Sequence, residues 1–332
     1  MGGYIGSTGY ILYGVVILNG VTMFYRERAK IFTWYFLFII TAIVLYFLEP
    51  IIAKDMVPLS NDFIVITMVN NFILISSMIM LSVNYFTKII KEEKAKSDTL
   101  IRSILPESVV KELNQSGKSN PILVTKATAI FMDFVDFSNI TLQMSPQELV
   151  SSLNEYFTNF DQIFRDHNVE KLKTIGDGYM AAGGIPETNH SHPVDVALAA
   201  MQIILYLEKA NDGNLSPWNV RIGINTGPMV AGIIGKSKFS YDVWGSSVNL
   251  CARLETASKP GFINVSHDFM EETKDFFEFL PRGLVEIKHG EPTQMYFLMD
   301  IKEHLRSSRF QANHNFYELY ERYAQNTTLT FG

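Results

Sequence analysis

The chain has 332 residues, a formal net charge of -6 at pH 7 and a single cysteine, Cys251. The negative charge argues against a general nucleic-acid-binding protein, because phosphate contacts require a basic surface, and one cysteine excludes an intramolecular disulfide framework. A reducing compartment is the natural inference for the part of the chain around Cys251.

Three uncharged apolar blocks occupy the beginning of the chain, at residues 4–24, 31–48 and 63–83. A helix needs about 20 apolar residues to cross a bilayer, and each block is close to that length. A cleaved signal peptide fits poorly, because no basic region precedes the first block. The sequence therefore predicts an all-α transmembrane segment at residues 1–87, with about three helices in contact with membrane lipid.

The loops between these blocks indicate an orientation. Arg26, Arg28 and Lys30 lie between the first two blocks, whereas the loop at residues 49–62 has more acidic than basic residues. The segment after the third block is rich in lysine. Because cytoplasmic loops carry the excess of basic residues, we expect a multi-pass protein of the cell membrane whose chain after residue 87 is cytoplasmic.

Residues 88–121 have the charge and spacing of a helical linker. An apolar stripe runs along it at helical spacing and is interrupted by Pro106. A solvated linker and a short parallel coiled coil from a dimer are both compatible with this pattern. The residues of the stripe are Leu100, Ile101, Ile104, Leu105, Val109 and Leu113.

From residue 122 the pattern becomes regular. Residues 122–134 predict a strand, and the helix that follows begins with a capping box formed by Ser145 and Glu148. Residues 170–184 predict a hairpin around a Gly-Asp-Gly turn, and residues 193–211 predict a second helix. Strands and helices therefore alternate in this part of the chain.

The alternation continues to residue 300. Residues 219–235 predict two strands around a turn at 225–227, and residues 241–258 predict a strand that runs into a helix. Two further strands around a short helix follow. This mixture of hairpins and crossovers predicts an α+β domain with a mixed sheet at residues 122–300. Residues 301–332 are expected to form a partly helical C-terminal tail.

Polar residues occur at four places in this domain where the apolar pattern predicts none. Asp133 ends a strand, Asp177 lies at the tip of the hairpin, Asp242 lies in a short strand, and Asn249 and Arg253 share one helix face. Two carboxylates from separate strand ends can together hold divalent metals, and a turn before a helix can hold phosphate. Each residue alone also has an ordinary structural explanation, as a cap, a turn residue or a solvated arginine.

Five segments containing these residues follow one another in the chain: "FMDFVDFSN", "EKLKTIGDGYMAAGG", "VRIGINTGPMVAGIIG", "YDVWGSSVNLCARLE" and "RGLVEIKHGEP". In order and spacing they resemble the catalytic domain of class III nucleotidyl cyclases, the adenylyl and guanylyl cyclases. The resemblance extends from about Val124 to Asp300. It implies a ferredoxin-like mixed sheet with helices, a phosphorus-oxygen lyase activity and a role in intracellular signal transduction.

The resemblance also implies a role for individual residues. The metal ligands would be Asp133 and Asp177, with two Mg2+ or Mn2+ ions in each active site. The loop that holds the triphosphate would comprise Phe134, Val135, Asp136, Phe137 and Ser138. Lys173 and Asp242 would select the base. Asn249 would orient the ribose, Arg253 would stabilise the transition state and Lys288 would reach the phosphates. Two departures from the family pattern are Asp136, where glycine is common, and the shortened loop that contains His289.

The pair Lys173 and Asp242 predicts ATP as the substrate. Adenine has an amino donor at position 6 and an acceptor at N1, whereas guanine has an acceptor at O6 and a donor at N1. A carboxylate accepts from the adenine amino group and an ammonium donates to N1, and both groups would be mismatched against guanine. Related guanylyl cyclases place Glu and a small residue at these positions.

The hairpin at residues 170–184 carries Lys173 and Asp177 on one short stretch. Four strand residues span about 13 Å, too far for a local ion pair between them. Since family members form their sites between two cyclase domains, Asp177 would bind metal in one site and Lys173 would read adenine in the other.

The expected protein is a homodimeric, membrane-bound adenylyl cyclase that converts ATP to 3',5'-cyclic AMP and pyrophosphate. A guanylyl cyclase and a nucleotide-binding receptor without turnover are the alternatives.

Overall fold

The computed structural model describes residues 28–52, 60–212, 218–235, 239–286 and 291–325. Contacts between residues divide the chain into two units, Met1–Leu100 and Ile101–Gly332. The described part of the first unit is helical, whereas the second unit contains a large sheet together with most of the polar residues that the sequence singles out.

Two long helices account for the described part of the first unit. The predicted span at 31–48 lies within α1 (Arg28–Ile52), and the predicted span at 63–83 lies within α2 (Asn61–Arg102). The predicted span at 4–24 lies outside the described residues. By length and composition, α2 is the one helix in the described ranges that could cross a membrane. Most of its large apolar side chains are exposed, as expected for a surface that lipid or another protein covers.

In its described ranges the second unit contains ten strands, seven α-helices and a short 3-10 helix at Glu303–Leu305. The strands are β1 (Ile122–Phe134), β2 (Val169–Ile175), β3 (Gly178–Gly183), β4 (Val220–Ile234), β5 (Ser240–Trp244), β6 (Ile263–Ser266), β7 (Phe277–Val285), β8 (Thr293–Ile301), β9 (Arg306–Ser308) and β10 (Gln311–Ala312). The helices are α3 (Glu107–Ser116), α4 (Phe137–Thr141), α5 (Pro146–Asp166), α6 (His192–Ala210), α7 (Ser246–Thr256), α8 (His267–Thr273) and α9 (His314–Gln325).

Eight of the strands form one mixed sheet. Its order is β2-β3-β1-β4-β6-β8-β7, and β5 pairs with β4 outside this path. The pairing of β4 with β6 is parallel, whereas the other pairs are antiparallel. The predicted α+β architecture with a mixed sheet is therefore confirmed. Strands β9 and β10 form a separate two-stranded ribbon.

The predicted turn at residues 225–227 is wrong, because β4 runs without interruption through it. Asn225 and Thr226 are buried, and their side chains hydrogen-bond to Ser247 O and Thr128 Oγ1. A Cβ at Gly227 would lie 2.5 Å from Ser247 Oγ, so this residue passes directly below the start of α7. The turn-forming residues serve here to bring a helix close to a strand. Strand β4 instead continues to Ile234 and pairs antiparallel with β5, the next strand along the chain.

The sheet has a hydrophobic cluster on each face. The larger cluster joins the alternate residues Ile130, Met132 and Phe134 of β1 to α5, α6, α8 and α9. The smaller cluster joins Ala127 and Ala129 of the same strand to α3, β5 and α7. Because side chains alternate across a strand, Asp133 points to the same face as Ala129, which is the face that α7 covers.

Both ends of the second unit pack against the sheet domain. In α3, Val109 and Val110 are buried in the smaller cluster. In α9, Phe316 is fully buried against Phe276 and Phe277. Tyr320 of the same helix donates a 2.6 Å hydrogen bond to Asp195 of α6.

Candidate functional site

Two carboxylates meet where β1 ends and the β2–β3 hairpin turns. Met132 pairs with Tyr179, so Asp133 comes next to Gly178 at the base of the turn. A Cβ at Gly178 would lie 3.6 Å from Asp133 Oδ1, which shows how closely the carboxylate approaches the turn. The pKa of Asp177 is raised, first by burial and then by the negative charge of Asp133. The structure therefore brings the two predicted metal ligands together.

This pair is suited to a hard divalent cation. Among the described residues there is no group of three or more His, Cys, Asp and Glu side chains that could hold a metal. Mg2+ is commonly bound by one or two carboxylates, with the remaining positions filled by water and substrate phosphates. The negative charge of Asp133, which adds to burial in raising the pKa of Asp177, is a repulsion of the kind that a bound cation relieves. The two residues fit a metal site that is completed by its substrate.

The predicted phosphate loop is a tight connection between β1 and α4. Asp136 adopts a left-handed conformation, with φ of 55°, immediately before the helix begins. This conformation favours glycine and is also accessible to Asp, which explains how Asp136 can replace a common glycine. Phe134 is buried and Phe137 is half-buried against it, so their side chains belong to the core. A ligand could therefore contact the backbone of these two residues but not their side chains.

The predicted base-selecting residues are in direct contact. Lys173 Nζ of β2 lies 2.5 Å from Asp242 Oδ2 of β5, and Asp242 Oδ1 accepts a 2.9 Å hydrogen bond from the backbone of Val243. Both side chains are partly buried. The contact joins two strands that are not neighbours in the sheet order. One donor and one acceptor are thus held side by side in fixed positions.

Helix α7 carries Asn249, which is exposed, and Arg253, which is half-buried. Three buried side chains fix this helix to the sheet. Asn225 donates to Ser247 O near the first turn, and Asn264 donates to Leu254 O near the last. Between them, Cys251 Sγ lies 3.1 Å from Ala129 O and 3.2 Å from Gly223 O.

The close approach of α7 to the sheet depends on a glycine. A Cβ at Gly223 of β4 would lie 2.1 Å from the backbone nitrogen of Glu255, so no larger residue fits there. The helix α7, which carries Asn249 and Arg253, is therefore held at a fixed, short distance from the sheet. Burial also raises the pKa of the Cys251 thiol, so this cysteine is a structural residue.

Two residues of the predicted loop near the end of the domain cannot be placed. Lys288 and His289 lie outside the described residues, which stop at Glu286 and resume at Glu291. The suggested contact of Lys288 with phosphate stays a prediction.

The sequence reasoning missed two charged residues at this site. Arg221 of β4 lies opposite Asp133 in the strand register, and its Nη2 donates a 2.8 Å hydrogen bond to Asp133 Oδ2. Its Nε lies 3.2 Å from Glu255 Oε1 of α7. Burial raises the pKa of Glu255 to about 6, although Arg221 opposes that rise. The sequence signal that could have identified Arg221 is a single arginine in the otherwise apolar strand segment at residues 220–224.

A model of the adenylate and guanylate cyclase catalytic domain matches residues 122–300. An adenylate cyclase of Mycobacterium tuberculosis is 30% identical over 217 residues, covering 64% of this chain and 48% of that protein. Guanylyl cyclase C of Homo sapiens is 34% identical over 224 residues, covering 65% of this chain and 21% of that protein. The chain thus spans about half the length of the first relative and about a fifth of the second.

A solved structure gives the same result. The guanylate cyclase domain of RhGC from Catenaria anguillulae, in complex with GTP, aligns with a TM-score of 0.53 and 29% identity. The alignment covers 55% of this chain and 100% of that one. The resemblance found in the five sequence segments is confirmed. The chain belongs to the class III adenylyl and guanylyl cyclase family, and residues 122–300 are its cyclase catalytic domain.

Proposed function

We propose that the protein is an adenylyl cyclase. The observation that supports this is the contact between Lys173 and Asp242, which presents one donor and one acceptor in the order that adenine requires. Against guanine, the partly buried ammonium would face a ring N–H and the partly buried carboxylate would face a carbonyl oxygen, in a site that the bound base would close further. Unpaired buried polar groups of this kind cost about 1–3 kcal/mol each, so the pair discriminates strongly.

Product analysis tests the proposal directly. The purified full chain is incubated with Mn2+ and either ATP or GTP, and the cyclic products are separated and quantified. We expect 3',5'-cyclic AMP and pyrophosphate from ATP and little product from GTP. Cyclic GMP as the main product would identify a guanylyl cyclase, and no product from either nucleotide would support a binding protein.

The other residues of the site fit the same reaction, in which the ribose 3'-oxygen attacks the α-phosphorus. Asp133 and Asp177 would hold two Mg2+ or Mn2+ ions, which supply charge neutralisation and activation of the 3'-oxygen when bound. The backbone from Phe134 to Ser138 would hold the triphosphate. Asn249 would orient the ribose, and Arg253 would offset the charge that develops on the α-phosphoryl group.

A homodimer with two equivalent sites is part of the proposal. One chain carries both the metal carboxylates and the residues that read the base, hold the ribose and stabilise the transition state. The hairpin separates Asp177 from Lys173 by four residues, and in this structure each has a different partner group. Two copies related by a two-fold axis would therefore complete two sites at once.

We also propose that the protein is anchored in the cell membrane, with its catalytic domain in the cytoplasm. Helix α2 and the three apolar blocks of the sequence support this proposal. A cysteine introduced near Pro58 should be labelled by an impermeant reagent from outside, and one near Arg28 should be spared. The native Cys251 gives little background because it is buried and its thiol pKa is raised. The opposite labelling pattern would overturn the orientation.

A further inference from the structure

Arg221 contacts two carboxylates but is hydrogen-bonded to only one of them. Its Nη2 donates to Asp133 Oδ2 at 2.8 Å, whereas its Nε lies 3.2 Å from Glu255 Oε1. Within the described part of the chain, Arg221 Nε and Glu255 Oε1 are both buried atoms that lack a hydrogen-bond partner. A buried donor and acceptor that are near each other but misaligned are unfavourable, and such a pair calls for an explanation.

The surrounding structure shows which partner is able to move. Glu255 lies near the end of α7, above Gly223, where no space exists for even a methyl group. Its side chain is 12% exposed. The guanidinium of Arg221 is planar and directs its donors in fixed directions, and in this structure its Nη2 is aligned with Asp133 whereas its Nε is not aligned with Glu255. At present its orientation is set by Asp133.

We propose that Glu255 is a positioning residue for the metal site: it is the alternative acceptor for Arg221 when divalent cations occupy Asp133 and Asp177. This inference rests on the metal site in the proposed function. A cation and a guanidinium would compete for the carboxylate of Asp133, whose Oδ2 accepts from Arg221. Once Arg221 leaves that carboxylate, a small rotation would align its Nε with Glu255 Oε1, which is already 3.2 Å away. Without Glu255, displacement would leave a half-buried arginine with no carboxylate, so Arg221 would stay on Asp133 and oppose metal binding.

Metal binding without nucleotide or turnover tests this role. Free Mn2+ is measured by electron paramagnetic resonance during titration of the full chain in lipid nanodiscs. Glu255→Gln should raise the Kd for Mn2+ by about tenfold, the scale usual for outer-shell partners of metal ligands. Glu255→Asp keeps the charge but withdraws the oxygens by one methylene, and it should also weaken binding. Glu208→Gln is the matched control, because Glu208 pairs with Arg309 in an exposed ion pair and should leave Kd unchanged.

The decisive comparison removes Arg221. If Glu255 acts by holding this arginine, Glu255→Gln should change Kd by less than about twofold when Arg221→Gln is already present. Equal weakening in both backgrounds would show that only the charge of Glu255 matters, and would overturn the proposal. Unchanged Kd in Glu255→Gln with Arg221 present would overturn it as well.

The metal site itself is checked in parallel with Asp133→Asn. Mn2+ binding that this variant leaves unchanged would overturn the metal site together with the role of Glu255. Binding that depends on Asp133, combined with an equal effect of Glu255→Gln in both backgrounds, would overturn the role of Glu255 alone. Thermal unfolding of each variant confirms that the titrated protein is folded.

Discussion

At the residue scale, the carboxylates Asp133 and Asp177 are the pair on which the proposed chemistry depends. They come from different elements, and no apolar packing requires either of them. Their proximity is electrostatically unfavourable, and the negative charge of Asp133 adds to burial in raising the pKa of Asp177. Such an arrangement is typical of functional sites, where charge is placed for a ligand at some cost to the fold.

The first prediction is that Asp133→Ala and Asp177→Ala each lower turnover by at least about 100-fold. Each change removes a carboxylate that the proposed metal ions require. Cyclase activity at saturating Mn2+ and the oligomeric state in detergent should be measured together, with Asp268→Ala on the exposed face of α8 as control. Substantial activity in either variant with an unchanged oligomeric state would contradict the metal assignment.

The second prediction concerns the base. Replacing Lys173 by Glu and Asp242 by Ser removes the ammonium that matches adenine N1 and supplies an acceptor for the N–H of guanine. The ratio of initial rates with ATP and GTP should then fall by at least about 100-fold. Lys171→Gln is the control, because Lys171 lies on the same strand and pairs with Asp161 at the surface. An unchanged ratio in the double variant would show that these residues do not read the base.

At the element scale, local sequence signals predicted most of the sheet domain. The strand at 122–134 has the predicted bounds, and the capping box of α5 is present, with Ser145 N donating to Glu148 Oε2 at 2.8 Å. The hairpin of β2 and β3 also lies where it was predicted. Alternation, caps and glycine turns are properties of a few neighbouring residues, so one sequence is enough to recognise them.

The elements that sequence reasoning missed depend on distant contacts. Strand β7 contains Pro281 and Gly283, which weaken a strand signal, and it is stabilised by pairing with β8 at the sheet edge. The uninterrupted course of β4 depends on α7 lying above residues 225–227. Arg221 and Glu255 are far apart in sequence and meet only because α7 crosses β4.

The contact between Lys173 and Asp242 also depends on distant parts of the chain, so local sequence signals could not predict it. The resemblance to a family assigned the two residues to one role, but the sheet order separates their strands. A bulge between Val124 and Ala127 interrupts the ladder of β1 and β4, and β5 lies against β2. Bulges bend strands, and their effect on distant contacts cannot be calculated from spacing.

The third prediction concerns the C-terminal helix α9. Phe316 is fully buried, whereas the next residue, Tyr317, is 54% exposed. Phe316→Ala should lower the free energy of unfolding by about 3–5 kcal/mol, because it leaves a cavity against Phe276 and Phe277. Tyr317→Ala is the matched control and should change it by less than about 0.5 kcal/mol. Chemical unfolding of the two variants makes the comparison, and equal losses would mean that α9 does not pack as described.

At the scale of the whole molecule, one chain carries two different parts of the proposed site. The fourth prediction uses this property: Asp177→Ala and Arg253→Ala, each nearly inactive alone, should restore activity when co-expressed. The mixed dimer would have one site with both changes and one site with neither. Random pairing makes about half of the dimers mixed, so activity should recover to about a quarter of the wild-type level.

Differential tags are needed to interpret this complementation. Purification through two tags in sequence isolates the mixed dimers, whose activity should be about half that of wild type. Inactive mixed dimers would mean that Asp177 and Arg253 act within the same site of one chain. The sharing of the hairpin between two sites would then be incorrect.

The burial of α3 determines where the sheet-containing part of the chain could be cut from the helices that precede it. Val109 and Val110 occupy the same hydrophobic cluster as Val248 and Cys251 of α7, the helix that carries Asn249. A fragment that begins at residue 122 would lack Val109 and Val110 and expose the rest of this cluster to water, whereas one that begins at residue 101 retains them. The segment that precedes the sheet thus shares a hydrophobic cluster with the helix whose Asn249 would orient the ribose.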